Sequence, residues 1–252
     1  CAKRNNEVVA VRLLWPWILL SKKHEKLLAY QAVDVATDES CRRSGLFSRL
    51  NLHAMEWVTG RGSLIFNFPN FSRHSYAGYQ KLGFQTLGSE RWILVFISPG
   101  FLKYLGKDVN LSKSTAIVDS LAGSKGSVSW TKEALEWRFA RHPRIKYERF
   151  TSSDGDAVLY SIIEKKSLKI ARVVYSEGRF SNGFMEKFSA HLIRFNVFLI
   201  LYNGLNTDLG RLFSSRWARI YLKDGVHYCA YPNVDELDIH DFSFELGVLD
   251  YA

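Results

Sequence analysis

Between Ala36 and Phe47 the chain reads Ala-Thr-Asp-Glu-Ser-Cys-Arg-Arg-Ser-Gly-Leu-Phe, a polar and basic turn that closes on a glycine just before an apolar-periodic stretch. A strand-to-helix turn of this kind can hold a phosphate. The first N–H groups of a helix have no intrahelical partner and sit at the positive end of its dipole. Gly45 lets the backbone approach closely, and Arg42 and Arg43 add charge. An ordinary strand-to-helix turn with a flanking glycine is the competing reading. The glycines of a dinucleotide fingerprint and the Gly-Lys-Ser/Thr ending of a P-loop are absent. Cys41 lies beside two arginines that would lower its pKa, but no histidine partner for a cysteine nucleophile is evident. Farther on, Phe68-Pro69-Asn70-Phe71-Ser72 precedes Tyr79-Gln80-Lys81-Leu82-Gly83-Phe84.

These residues need elements to position them. Val8 to Leu14 and Leu27 to Ala36 are strand-like runs separated by the polar segment 21–26, which predicts an antiparallel pair. The apolar stretch Leu13 to Leu20, interrupted by Pro16, is too short to span a bilayer and reads as a strand end or packing loop. From Gly45 to Gly60, Leu46, Phe47, Leu50, Ala54, Trp57 and Val58 recur at helical spacing, with Arg49, Asn51, His53 and Glu56 elsewhere on the circle. A short buried strand follows at Leu64 to Phe68, then a helix around Ser75 to Leu82 ended by Gly83, then a strand at Arg91 to Ile97. The segment Leu102 to Gly126 reads as an interdomain connection.

The second half predicts a helix from Thr131 to Arg141 stopped by Pro143. Strands follow at Ile145 to Thr151, Ala157 to Glu164 and Leu168 to Tyr175, with turns at Asp154-Gly155 and at Lys165-Lys166-Ser167. Next come a helix near Phe184 to Phe195, a strand at Val197 to Tyr202, and a strand pair, Ala218 to Lys223 and Val226 to Tyr231, around Asp224-Gly225. Both halves show antiparallel strands, a helix and a strand in the same order, which reads as a degenerate domain duplication and not a solenoid.

Composition bounds the function. In 252 residues, 47% are hydrophobic and 23% charged, which excludes disordered and collagen-like classes. Lys plus Arg is 34 against 25 Asp plus Glu, a net +9 that suits anionic partners or plain solubility. The basic residues are scattered as pairs without a long run, so no nucleic-acid partner is expected. Cysteines 1, 41 and 229 offer neither a disulfide framework nor a metal pattern and suggest a reducing cytoplasm. A first residue that is Cys and not Met reads as a fragment or trimmed chain more simply than as a lipidated terminus.

The two motifs, in this order and on these elements, resemble the GNAT superfamily of acyl-CoA N-acyltransferases. There a strand leads into Arg/Gln-x-x-Gly-x-Gly/Ala, whose amides hold the coenzyme A pyrophosphate, and a later helix carries Tyr-x-x-x-Gly-Phe. Arg42 takes the first position and Gly45 the fourth; Phe47 takes the sixth, where a small residue is usual. The resemblance covers roughly residues 8 to 97, and the family's usual first strand and helices do not precede Val8. Ala-Thr-Asp before the turn and Phe-Pro-Asn-x-Ser resemble a tandem-domain subset, some members of which are tied to sugar or polysaccharide modification.

The resemblance implies an α/β (α+β) fold, a GNAT-like mixed and mainly antiparallel sheet flanked by helices, with a second, degenerate unit. Residues 1–100 would bind acyl-CoA, 101–126 connect, and 127–252 form the second unit. The implied co-substrate is acetyl-CoA, with no metal. It would be held by Arg42, Arg43, Ser44, Gly45, Leu46 and Phe47, by Thr37 and Asp38 at the pantetheine and acyl carbonyl, and by Asn70 and Ser72. Tyr79 would be the general acid that protonates the departing thiolate; a phenol with pKa about 10 is neutral at pH 7 and able to do so. Asp34, Glu39 and His74 are candidate general bases, since an ammonium acceptor must lose a proton before attack. The implied activity is transfer of an acetyl group to a small-molecule primary amine, an amino sugar among the candidates.

The second unit carries Ser176-Glu177-Gly178-Arg179-Phe180-Ser181-Asn182-Gly183 where the first has its arginine and glycine, and Leu212 to Trp217 offers no matching tyrosine, so it is expected to be catalytically silent. The alternatives are a GNAT-like binding module for a nucleotide, anionic polymer or protein partner, and an aminoacyl transferase of related fold that uses charged tRNA.

Overall fold

The computed structural model describes residues 1–20, 26–69, 75–98, 133, 136–152, 155–177, 180–203 and 218–231. It divides into two compact units. The first holds Cys1–Ser89 together with the stretch that begins at Asp224; the second holds Trp130–Lys223 together with the stretch that begins at Glu90. The first unit thus draws its last strand from a part of the chain that the sequence assigns to the second. The proposed connection at 101–126, Thr131 and the segment Leu212 to Trp217 lie outside the described residues.

In the first unit β1 (Ala2–Arg4), β2 (Glu7–Leu20) and β3 (Lys26–Thr37) form an antiparallel meander. β2 runs straight through Pro16, which lies opposite Tyr30 of β3. Because β1 pairs with β2 only from Glu7 to Ala10, the missing N–H of Pro16 falls where β2 has no second partner among the described residues. β3 feeds a 3-10 turn (Glu39–Cys41) and then α1 (Leu46–Thr59). β4 (Leu64–Asn67) returns parallel to β3, and β10 (Arg219–Tyr231) pairs antiparallel with β4. Asp224-Gly225 is therefore no hairpin turn. Its flanks form a single strand, because pairing of Cys229 to Tyr231 with β4 outweighs the local turn preference.

α2 (Ser75–Lys81) is followed by β5 (Gln85–Phe96), which starts six residues before the predicted strand. Gly83 ends α2 at φ +87°, with Gly83 N–H donating to Gln80 O and Phe84 N–H to Tyr79 O, the two bonds of a Schellman cap. The cap turns Phe84 back onto Tyr79, the ring centroids 5.0 Å apart. Tyr-x-x-x-Gly-Phe is thus a helix stop whose two aromatic rings lock the end of α2 into the core formed with Ala32, Ala54, Met55, Val58, Ile65 and Cys229.

The second unit repeats the plan. β6 (Tyr147–Thr151), β7 (Ala157–Lys165) and β8 (Leu168–Glu177) form an antiparallel meander, α3 (Asn182–Ile193) follows, and β9 (Leu199–Asn203) pairs parallel with β8. Lys166 and Ser167, both at positive φ, make the predicted β7–β8 turn. Ahead of β6, residues Glu136–Ala140 form a π-helical turn in place of the predicted longer helix end. β5 pairs antiparallel with β9 from Trp92 to Phe96. Both units are mixed and mainly antiparallel, with the parallel pair in each falling across a helix.

Candidate functional site

β3 is longer than its parallel partner. It pairs with β4 only at Ala29, Tyr30 and Gln31, while β2 accompanies its other edge as far as Thr37. Leu14 faces Ala32 and Arg12 faces Val35, so Val33 and Asp34 together oppose Leu13 as a β-bulge. A bulge bends a strand and sharpens its twist, and here it falls where β3 parts from β4. From Ala32 to Thr37 the edge on the β4 side has no strand beside it among the described residues.

This edge runs into the basic turn. Asp38 N–H donates to Val9 O at 2.8 Å, and the Asp38 carboxylate accepts from Ser40 N–H at 2.9 Å and from the Ser40 hydroxyl. Those two bonds, side chain first, hold the carboxyl below its ordinary range. Asp38 therefore caps the 3-10 turn, and its own amide is already used. Arg42, Arg43, Ser44 and Gly45 are exposed. Gly45 is the N-cap of α1 at φ +76°, with no side-chain cap, and a Cβ there would meet nothing within 4 Å. The amides of the first turn of α1 thus receive no capping side chain from Gly45, and the space over it is open. At the matching place in the second unit the Ser181 hydroxyl accepts from Phe184 N–H at 3.2 Å and caps α3. The geometry fits a phosphate in the first unit and not in the second.

Phe47 does not face the turn. Its ring packs edge-on to Tyr79 at 5.7 Å, and a Cβ on Gly78 would come within 2.8 Å of it, so the glycine in α2 makes room for the large residue in α1. Phe47 O accepts from the Asn51 side-chain amide at 2.8 Å. Asn51, expected on the polar side of α1, is fully buried, whereas Trp57, expected in the core, is 39% exposed.

Asn51 exists in the core because Arg12 does. The Arg12 guanidinium donates through Nε at 3.0 Å and Nη2 at 2.6 Å to Asn51 Oδ1, through Nη1 at 2.5 Å to Val33 O on the bulge, and through Nη2 to the Tyr79 hydroxyl oxygen. Tyr79 is 1% exposed. Burial pushes its pKa above the ordinary tyrosine value, and the Arg12 charge only partly opposes that, so the phenol is protonated at neutral pH. Neither Arg12 nor Asn51 was apparent as a site residue. The signals available were a lone arginine in the apolar run of β2, and an asparagine four residues after Phe47 and three before Ala54.

Of the other candidates, Asp34 sits exposed on the bulge, and Glu39 is exposed and ion-paired to Arg42 at 3.5 Å. Neither hydrogen-bonds to the Arg12 group. Thr37 ends β3 opposite Ala10, and Leu46 starts α1 half-buried. Asn70, Ser72 and His74 lie outside the described residues. Cys41 is buried. Among the described residues no group of three or more metal-ligating side chains comes together, and no helix is long and apolar enough to cross a membrane.

No protein-family model matches the chain, and no curated protein matches it in sequence. Solved structures match it in fold. A GCN5-related N-acetyltransferase from Anabaena variabilis aligns with a TM-score of 0.65 at 9% identity, over 90% of this chain and 60% of that one. Eis1 from Mycobacterium abscessus aligns with a TM-score of 0.62 at 14% identity, over 95% of this chain and 66% of its own. Saccharomyces cerevisiae N-myristoyltransferase with bound myristoyl-CoA aligns with a TM-score of 0.54 at 11% identity, over 90% and 67%.

The chain has the GNAT fold. It spans 60% of the length of the Anabaena structure. The second unit repeats the bulge and the short parallel pairing seen in the first. Tyr160 faces Val173 and Leu159 faces Tyr175, so Val174 is an extra residue on β8, and β9 pairs with β8 only from Ile170 to Arg172. Where the first unit has Arg12 and Tyr79, this one is filled with Phe150, Phe184, Phe188, Tyr160 and His191. The Tyr160 hydroxyl donates to Glu148 at 2.8 Å and lies 2.7 Å from His191 Nε2, while His191 Nδ1 is buried without a partner among the described residues.

Proposed function

We propose that this chain is an acyl-CoA-dependent N-acyltransferase that moves an acetyl group from acetyl-CoA to a primary amine, with amino sugars the first acceptors to test. One observation carries the reading. In the first unit the edge of β3 beyond Gln31, with no strand beside it among the described residues, leads to a basic turn and an uncapped helix start, and Tyr79 stands on α2 against that same helix. In this reading the first-turn amides of α1, with Arg42 and Arg43, hold the pyrophosphate, and the pantetheine arm lies along β3 between Ala32 and Thr37. The fold aligns amine and thioester. The amine nitrogen attacks the carbonyl carbon, the C–S bond breaks with its electron pair going to sulfur, and Tyr79 hands its proton to that sulfur. The nitrogen's surplus proton goes to solvent, from which Tyr79 is recharged. Three free cysteines are compatible with a reducing, cytoplasmic setting.

Calorimetry with acetyl-CoA, run beside Gly45→Asp, tests the site. Wild type is expected to give a saturable single-site isotherm. The variant is expected to fold, because space over Gly45 is open and aspartate tolerates a left-handed backbone better than most residues. It should lose affinity at least about tenfold by setting a carboxylate against the pyrophosphate. Unchanged affinity in the folded variant overturns the site, and no heat from wild type at millimolar ligand favours a GNAT-fold binding module. Thiol release with a panel of amines then identifies the acceptor.

A further inference from the structure

Ser89 on β5 and His227 on β10 lie on neighbouring strands of the first unit and meet side chain to side chain, with Ser89 Oγ 2.7 Å from His227 Nδ1. The imidazole is held from two further sides. The backbone N–H of His227 donates to Pro69 O at 2.9 Å and ties β10 to the end of β4. The Tyr76 ring lies flat against the imidazole, with centroids 3.7 Å apart and planes inclined by 15°. Tyr76 is itself fixed. Its hydroxyl accepts from Gln80 Nε2 at 2.9 Å and is hydrogen-bonded to Thr86 Oγ1 at 2.9 Å, and its ring packs against the core of the first unit.

This arrangement meets the geometric demands of an activated serine. A hydroxyl is a weak nucleophile unless a base within about 2.6–3.2 Å takes its proton, and that base must be oriented by a third group. A catalytic triad gives the orienting task to a carboxylate; here a stacked tyrosine holds the ring. Loss of solvation holds the His227 pKa below the ordinary histidine value, so the ring is neutral at pH 7 and has one nitrogen able to accept. With the ring proton on Nε2, Nδ1 accepts the Ser89 O–H. Ser89 is exposed and His227 half-buried, so the nucleophile is open to a substrate while the base is partly withdrawn from water. Neither residue has a part in the acyl-CoA site proposed above.

We infer that Ser89 and His227 form a nucleophile–base pair that hydrolyses small aryl esters, an activity separate from acyl transfer to amines. Ser89 Oγ attacks the ester carbonyl carbon as His227 Nδ1 takes its proton. The bond from that carbon to the phenolic oxygen breaks with its electron pair going to the oxygen, and the proton on Nδ1 follows it. Water then attacks the acyl-serine while Nδ1 takes a proton from it. The bond to Ser89 Oγ breaks, the proton returns to Oγ, and the carboxylic acid is released. Aryl esters are the substrate class because a phenolate departs easily, which lessens the need for donors at the carbonyl oxygen.

The test measures hydrolysis of p-nitrophenyl acetate and labelling by a fluorophosphonate, which phosphonylates activated serines, on the whole chain. The exposed Cys1 thiol would itself be acylated, so every protein compared carries Cys1→Ser. One fluorophosphonate per chain is expected, located on Ser89 by peptide mass spectrometry, and hydrolysis should disappear as labelling proceeds. Ser89→Ala should keep its fold, since the side chain is exposed, and lose both reactions. His227→Gln keeps a side chain able to hydrogen-bond but none able to take the proton, and should slow both about 10²-fold or more. No labelling, or labelling elsewhere than Ser89, overturns the inference. So does hydrolysis that persists in Ser89→Ala, or an undiminished labelling rate in folded His227→Gln. The site of labelling and Ser89→Ala decide the matter even if His227→Gln does not fold.

Discussion

Tyr79→Phe removes one oxygen and keeps the ring between Phe47 and Phe84. General acid catalysis contributes about 10²- to 10⁴-fold, so turnover with an identified acceptor should fall by that factor while acetyl-CoA affinity stays within a few-fold. The folded state does not escape unchanged. Arg12 Nη2 loses its acceptor, and a buried donor left unsatisfied costs about 1–3 kcal/mol; chemical denaturation should read a loss of that order. An intact rate would make Tyr79 a packing residue.

At the scale of elements, α1 and α2 meet through one large and one absent side chain. Glycine inside a helix costs about 1 kcal/mol relative to alanine, yet a Cβ at Gly78 would sit 2.8 Å from the Phe47 ring. Gly78→Ala is therefore expected to destabilise the chain by about 1–3 kcal/mol through overpacking. In a Phe47→Ala background the same change should stabilise, because only the helix preference remains. Equal effects in the two backgrounds, measured as a double-mutant cycle by urea denaturation, would remove the steric account. The departure at the sixth motif position thus has its compensation on another element. Asn51 was misplaced by reading α1 in the same way: a polar side chain on the apolar stripe looks like a phase error until its partner on β2 is known.

At the scale of the whole molecule, the two units share a plan and differ in what fills it. The second has a capped helix start and a closed His191–Tyr160–Glu148 chain. Burial pushes the His191 pKa below its ordinary value, more than the nearby Glu148 charge restores. Burial alone would raise Glu148, but hydrogen bonds from Tyr160 and Lys146 bring it below the usual carboxylate range. Both folded pKa values are lowered, so below the ordinary values the unfolded chain binds more protons. The stability contribution is full above about pH 6.5 and is lost as pH falls, His191 first and Glu148 below about pH 4.5. Thermal melts from pH 8 to pH 5 should show the decline, and His191→Phe, which suits its phenylalanine neighbours, should flatten the upper part. An unchanged slope in His191→Phe would assign the titration to other groups.

What the sequence determined by itself was local. Period, caps and turn residues placed β2, β3, α1, α2 and most of the second unit, and two short motifs were enough to point to the GNAT fold. The helix stop at Gly83 and the helix start at Gly45 were legible because each depends on backbone preferences of a few consecutive residues. Tertiary structure decided the rest. Asp224-Gly225 reads as a turn until β4 is beside the strand that contains it. The length by which β3 outruns β4 depends on a pairing between segments more than thirty residues apart. The charge at Tyr79 comes from Arg12, sixty-seven residues earlier. A buried cation is tolerated only where distant donors and acceptors converge on it, and no local pattern of residue types encodes that convergence.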